Sequence, residues 1–278
     1  ENCEINAYQV DRLLARHFPQ EPRKLHLCCI RDRVHLQAIF EEHRPDMVFN
    51  AAALKHVPLV EANPCEGVLT NVIGTRNVCD AARDVGVRAF VQVSTDKAVN
   101  TTNVMGATKR VAEFYCQAQD LITRDLGCDT RFFAVRFGNV LGSSGSLIPL
   151  FQEQIARGGP LTVTHPDMER YFMTIREAVE LTLVAAAQGL RARDDTGRIY
   201  VLDMGKPVRI LDLAERMIAL AGKVPGKDIM IEFVGIRPGE KLFEELFDRN
   251  EVVEPAGFAG VSCAVPYPVP ISRLRASI

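Results

Sequence analysis

The sequence predicts an α/β fold, a doubly wound parallel sheet with a smaller C-terminal lobe, and three observations lead to it. Apolar strand-like runs alternate with helical patterns at a spacing of about 40 residues, the rhythm of strands joined by crossover helices. Such a sheet is covered on both faces. Polar residues then cluster where one strand run ends, at Ser94-Thr95-Asp96-Lys97, and a helical pattern opens just beyond, at Met105-Gly106-Ala107-Thr108-Lys109. Ligands of open α/β sheets lie beyond the carboxyl ends of the strands, so these two runs mark the expected site.

Taken in order, residues 5–18 read as a helix and Lys24–Ile30 as a strand. Met47-Val48-Phe49-Asn50 is a short strand. Residues 67–83 form a helix with Val68, Val72, Val78, Cys79 and Ala82 on one stripe. Ala89–Ser94 is the next strand. Residues 105–125 form a long helix with Val111, Phe114, Tyr115, Ala118, Leu121 and Ile122 on one face, and Arg131–Arg136 is a third strand. Beyond Gly138 a loop of small residues runs from Asn139 to Ser146. Later elements are shorter: a strand near Ile199–Leu202 and a helix from Ile210 to Ala221. Residues 252–270, rich in Val, Ala and Pro, read as an irregular tail. Residues 1–145 are expected to form the sheet domain. Residues 146–278 are expected to form the lobe and tail, with some chain crossing back to the sheet.

Composition narrows the classes. The 278 residues are 47% hydrophobic and 24% charged, ordinary for a globular protein with a sizeable core. A net charge of −2 with dispersed basic residues gives no reason to expect nucleic acid as a partner. None of the eight cysteines forms a Cys-x-x-Cys pair and no histidine cluster accompanies them, so no metal site is expected. Reduced thiols in a cytoplasmic compartment are expected instead. No apolar run approaches the roughly 20 residues that span a bilayer.

Thr95, Asp96 and Lys97 bring a hydroxyl, a carboxylate and an amine to one strand tip, a set able to move protons. The plainer reading is a polar turn with an ordinary Asp–Lys pair. Met105 and Lys109 stand at i and i+4, so they share a helix face and point into one pocket. A thioether carries no proton at neutral pH. Asn50-Ala51-Ala52-Ala53 follows a strand, and its small side chains let a flat cofactor approach the backbone. Lys55 and His56 come next; a lone histidine in such a loop is more often structural than catalytic. Asn71 and Thr75 lie on the apolar stripe of their helix, where polar groups need partners; Asn71 is expected to brace the site. Arg170 and Arg237 are candidate diphosphate clamps, because a guanidinium donates two parallel hydrogen bonds to phosphate oxygens. The plainer reading of either arginine is a surface salt bridge, which spacing alone slightly favours.

The runs Asn50–Pro58, Ser94–Asn100, Asn103–Arg110, Val135–Ser146 and Gly235–Lys241 together resemble the nucleotide-sugar 4,6-dehydratases of bacterial capsule and glycan synthesis. These are CapD-like polysaccharide biosynthesis proteins among the extended short-chain dehydrogenase/reductases. The resemblance covers roughly residues 1–247. It implies a Rossmann-like fold and a tightly held, recycled NAD. It also implies UDP-N-acetylglucosamine as substrate, oxidised at C4, dehydrated across C5 and C6 and reduced at C6. Met105, in place of the usual tyrosine, resembles the large-protein branch that retains configuration at C5. That branch implies a membrane region ahead of Glu1, hence the cytoplasmic face of a membrane as an alternative location. A homo-oligomer is also expected.

By the same resemblance, Asp96 is the acid for the C6 hydroxyl, Lys97 the C5 base, and Thr95 the group that orients the C4 oxygen. Lys109 would reach the nicotinamide ribose. Glu1, Ile30, Asn50, Ala51, Ala52 and Asn71 would border the cofactor. Lys55, His56, Asn139, Arg170, Arg237 and Glu240 would border the substrate. Three features depart from the pattern. The G-x-G-x-x-G turn of a dinucleotide site occurs nowhere in these residues, so the first strand, its turn and the first helix are expected upstream of Glu1. The Lys24–Ile30 strand is then expected to be displaced or paired with a substitute. Cys29 replaces an acidic residue, and Thr101 replaces a proline. Two alternatives stand beside the dehydratase: a sugar-nucleotide epimerase, and an inactive chain that binds UDP-sugar without NAD.

Overall fold

The computed structural model describes residues 1–143, 145–191 and 197–278. Ser144, in the small-residue loop, lies outside the described residues. The first helix, α1 (Glu4–His17), buries Ala7 and leaves Ile5, Tyr8 and Leu13 exposed. The run Lys24–Ile30 does not form the expected strand. The Cys28 N–H donates to the Glu1 carbonyl at 3.0 Å and the Glu1 amine donates to the His26 carbonyl at 3.4 Å. That alternation is one rung of a parallel pair, with Glu1 opposite Leu27. A single rung without further neighbours does not sustain a strand.

α2 (Arg33–His43) begins where the Asp32 carboxylate accepts the His35 N–H at 3.1 Å. β1 (Met47–Asn50) leads into α3 (Val57–Ala62), α4 (Pro64–Gly67), a π-helical turn (Val68–Gly74) and α5 (Thr75–Val85). The helix expected over 67–83 is thus one rod with a wider winding in its first half, and Asn71 is buried within that winding. β2 (Ala89–Thr95), α6 (Val104–Asp125) and β3 (Arg131–Phe137) follow the expected rhythm. Then come β4 (Asn139–Val140), α7 (Leu147–Ala156), β5 (Leu161–Val163), β6 (Glu169–Arg170), β7 (Phe172–Met173) and α8 (Ile175–Arg191). β8 (Ile199–Leu202), β9 (Val208–Arg209), α9 (Ile210–Leu220) and β10 (Ile231–Phe233) follow. β11 (Val252–Pro255), β12 (Val261–Val265) and α10 (Ile271–Ser277) come last.

The main sheet has the order β1-β2-β3-β8-β12-β11. β1, β2, β3 and β8 run parallel, while β12 and β11 are antiparallel. The tail expected to be irregular therefore supplies two strands. Val261 and Cys263 pack with Tyr200 and Leu202 on one face, while Ala264 faces the other, a period-2 pattern that the surrounding prolines and glycines obscure. α8 covers the face of Val91, Phe133 and Val135. α2, α5, α6 and α10 cover the face of Phe90 and Phe132. A smaller unit, the parallel pair β5–β10 with α7 and α9, has its own core of Phe151, Leu161, Val163, Ile210 and Ile218. β1 forms one edge of the main sheet and pairs only with β2 among the described residues.

Arg136 of β3 has no solvent exposure. Its guanidinium donates to Glu113 at 2.9 and 3.1 Å, to Glu251 at 2.9 and 3.0 Å, and to the Leu246 carbonyl at 2.9 Å. Arg110 also donates to both carboxylates, at 2.9 and 2.6 Å, and the Ser94 hydroxyl donates to Glu113 at 2.6 Å. Burial alone would push Glu113 up, but Arg136 and Arg110 outweigh it and hold the carboxyl below its ordinary range. The same balance brings Glu251 down to about 2.

Both carboxyls titrate lower in the folded chain than in the unfolded one. Their contribution to stability is complete above the ordinary 4.5 and is lost as pH falls toward about 2. Urea unfolding is expected to lose stability steeply across that window, and Glu251→Gln is expected to flatten the loss. Arg136→Met, which leaves two buried carboxylates sharing the Arg110 guanidinium, is expected to cost about 3 kcal/mol at neutral pH.

Candidate active site

The carboxyl ends of β1, β2 and β3 open on a cleft of about 680 Å³. It brings together Lys55, His56, Thr95, Lys97, Met105, Lys109 and Asn139. The tip of β2 is shaped by Thr95, whose hydroxyl accepts the Lys97 N–H at 3.4 Å and donates to Asp96 Oδ1 at 2.9 Å, closing a short 3₁₀ turn. Lys97 Nζ donates to Asp96 Oδ1 at 3.0 Å and to Asn139 Oδ1 at 3.3 Å. The Lys97 side chain is 18% exposed and lines the cleft, whereas Asp96 is 0% exposed and lies behind it. Asp96 Oδ2 has no hydrogen-bond partner among the described residues. It faces Gly138, where a Cβ would stand only 2.8 Å away.

α6 begins beside this turn because Asn103 caps it, its side chain accepting the Gly106 N–H at 2.7 Å. Gly106 touches the backbone of the Asp96–Ala98 turn: an added Cβ there would sit 2.1 Å from the Lys97 carbonyl oxygen. Met105 is buried against Val57 and Val60 and lines the cleft. Lys109, one turn on, donates its amine to the Val93 carbonyl. Burial pulls the Lys109 ammonium down to about 8, against the opposing pull of Glu113. Burial also lowers Lys55.

The loop after β1 is held by Asn71. Its side chain accepts the Leu54 N–H at 2.8 Å and donates to the Leu54 carbonyl at 3.0 Å and to Thr108 at 2.9 Å. Asn71 therefore acts as a brace and does not line the cleft. Asn50 differs from expectation in the same way: it is buried and donates to Gln92 at 2.8 Å, inside the sheet end. Ala51 lines the cleft and Ala52 is exposed outside its lining. The His56 ring packs against Gly145, where a Cβ would lie 2.7 Å from Cε1, so the ring supports the 139–146 loop. Glu1 and Ile30 lie away from the cleft lining; Glu1 accepts the N–H groups of Asn2 and Cys3, and Ile30 packs on Gly74.

Arg170 is corrected most clearly. It was expected to present an open fork to phosphate, yet it is buried and closed on carbonyl oxygens of Glu169 at 2.7 Å, Lys241 at 2.8 Å and Leu242 at 3.1 Å. Irregular backbone buried at this place needs donors, and Arg170 supplies them. It thereby holds the segment 237–245 as a strap. The other side of the strap is tied to the 99–103 loop. The Gly239 carbonyl accepts from Thr102 at 3.0 Å and Asn103 at 2.9 Å, Lys241 donates to the Val99 carbonyl at 2.8 Å, and Asn100 donates to Glu245 at 2.8 Å. Arg237 and Glu240 ride on this strap, outside the cleft lining, with Arg237 half-exposed. Glu244, which no sequence signal singles out from Glu245, is buried with Oε1 at 3.8 Å from both Lys97 Nζ and Arg170 Nε.

Among the described residues no group of three or more His, Cys, Asp or Glu is arranged to hold a metal ion. No helix among them is long and apolar enough to cross a membrane. Gly106→Ala is expected to push the Lys97 turn off α6. Urea unfolding should then register a loss of about 1–3 kcal/mol, the ordinary cost of overpacking.

The family model described as polysaccharide biosynthesis protein matches residues 1–265. The capsular polysaccharide biosynthesis protein CapD of Staphylococcus aureus is 54% identical over 80% of this chain and 36% of its own length. The chain thus spans about a third of that relative. The UDP-glucose 4-epimerase of Rickettsia typhi is 36% identical over 78% of this chain and 60% of its own. Among solved structures, Pen from Bacillus thuringiensis matches with a TM-score of 0.83 and 35% identity, covering 96% of this chain and 78% of that one. DesIV, a dTDP-glucose 4,6-dehydratase from Streptomyces venezuelae with NAD bound, shares the fold at a TM-score of 0.70 and 22% identity over 85% of this chain and 74% of its own. The chain belongs to the polysaccharide biosynthesis protein family, as a CapD-like extended short-chain dehydrogenase/reductase.

Proposed function

We propose that this chain carries the catalytic centre of an NAD-dependent nucleotide-sugar 4,6-dehydratase acting on a UDP-N-acetylhexosamine, most simply UDP-N-acetylglucosamine, in polysaccharide biosynthesis. The observation that carries the reading is the Asp96–Lys97 pair, 3.0 Å apart at the tip of β2, with its amine in the cleft beside Lys109 and Met105. The small floor of Ala51 and Ala53 and the buried Lys109 amine face the same cleft, and this donor set fits the nicotinamide half of NAD. Lys109 and the Ala51–Ala53 turn would hold NAD at this cleft, and the bound cofactor would supply hydride chemistry at C4 and C6.

The rest falls to the protein. Thr95 lines the cleft and is hydrogen-bonded to Asp96, so the enclosed carboxylate takes the C4 hydroxyl proton through that hydroxyl. Lys97, as the neutral amine, removes the C5 proton, which the new C4 carbonyl has made acidic. The C5 electron pair forms the C5–C6 double bond and expels the C6 hydroxyl, which leaves as water with the proton held by Asp96. After C6 is reduced, Lys97 returns its proton to C5. Each group ends as it began, so one Asp–Lys pair serves a whole turnover without an outside acid or base. Met105, unable to carry a proton, shapes the pocket and leaves this chemistry to the strand tip.

The identity to a UDP-glucose 4-epimerase gives a second reading, epimerisation at C4. It has no use for the elimination pair. Mass spectrometry of the product separates the two: the dehydratase product is lighter by one water, and the epimerase product has unchanged mass. Lys97→Ala is expected to abolish deuterium wash-in at C5, and Asp96→Asn is expected to slow water loss by about 10²-fold or more. Undiminished C5 exchange in Lys97→Ala removes the lysine from the role of base.

A further inference from the structure

Glu244 lies outside every role assigned so far, yet it is one of the least accessible carboxylates beside the cleft. Its side chain is 4% exposed, and Oε2 has no hydrogen-bond partner among the described residues. A carboxylate so enclosed is costly unless cations compensate it. Two do: Lys97 Nζ and Arg170 Nε each lie 3.8 Å from Oε1. Arg170 is fixed by three backbone carbonyls, so it holds Glu244 in place.

We propose that Glu244 is a positioning residue for the proton-transferring lysine, a carboxylate delivered by the strap to stabilise the ammonium that forms at Lys97. This rests on the reading of Lys97 as the C5 base. An ammonium has three protons to place. Asp96 takes one from its own turn and Asn139 of β4 another, and Glu244 faces the ammonium from the strap as a charge 3.8 Å away. The charged groups around the amine are Asp96 and Glu244, with Arg170 of β6 behind Glu244 and Lys109 of α6 lining the same cleft. When Lys97 takes the C5 proton, Asp96 already holds the C4 proton, so the Glu244 carboxylate is the negative charge left beside the new ammonium, with Arg170 behind it. Glu244 therefore favours capture of the C5 proton.

The test is Glu244→Gln, which keeps shape and removes charge. Lys97 labelling by an amine-acylating reagent, followed by peptide mass spectrometry at fixed pH and without NAD, is expected to speed up about threefold or more. In the NAD-loaded protein with UDP-N-acetylglucosamine, C5 deuterium wash-in is expected to reach its plateau at a pH lower by about half a unit or more, at a reduced plateau rate and with KM little changed. If the variant does not fold, Glu244→Asp, which withdraws the charge by one methylene, is expected to shift both readouts in the same directions by less. Unchanged labelling and an unchanged pH profile overturn the proposal while leaving the dehydratase reading intact. Absence of C5 exchange in the unsubstituted protein overturns the dehydratase reading, and the labelling result still decides whether Glu244 stabilises the Lys97 ammonium.

Discussion

A guanidinium with no access to water stands in the third strand of the sheet, and the ground beneath the cleft is organised around it. Arg136 is compensated by Glu113 of α6 and by Glu251, which just precedes β11. Glu113 in turn receives the hydroxyl of Ser94, one residue from the Thr95 tip of β2. A single buried cation thus fixes a strand, the helix that carries Met105 and Lys109, and the segment that returns to the sheet. Such a cluster adds little net stability compared with well-packed apolar side chains, but removing one member is severely destabilising. Its value lies in allowing only one seating of these elements.

A second set of constraints holds the strap. Gly239 has a φ of 80°, and a Cβ there would stand 2.7 Å from Asn103 Cβ, so the strap lies directly on the start of α6. Arg170 grips it from the other side. The amine of Lys97 therefore meets one acceptor from its own turn and one from β4, and faces a carboxylate 3.8 Å away on the strap. The chemistry of the cleft is assembled from parts far apart in sequence, each positioned by backbone contacts more than by its own neighbours.

What was legible in the chain follows from this division. The strands β2 and β3 announce themselves because parallel strands buried on both faces read as apolar runs, and β1 shows the same apolar run although its edge position leaves Met47 and Phe49 partly exposed. The pairing of Met105 with Lys109 follows from helix geometry alone, and Thr95-Asp96-Lys97 from its place at a strand end. The antiparallel pair β11–β12 was hidden because its pairing partners, not its composition, make it a sheet. Lys24–Ile30 failed in the opposite sense, having strand-like composition and too little to pair with. Arg170 and Arg237 looked alike in sequence, yet one is closed on carbonyls and the other half-exposed, a difference set wholly by the fold around them. Asn50, Glu244 and Arg136 carry no local signal, since a buried polar group is identified only by its partners.

The free side of β1 has a further consequence. Its outward backbone groups meet no strand among the described residues, and Met47 and Phe49 are partly exposed beside it, with Leu25 and Leu27 also exposed on the neighbouring irregular segment. An unblunted strand edge is a template for another strand, and it carries none of the charges or prolines that ordinarily discourage such pairing. The free side of β1 is thus the place where a further parallel strand can extend the sheet, through backbone groups that β2 leaves unpaired.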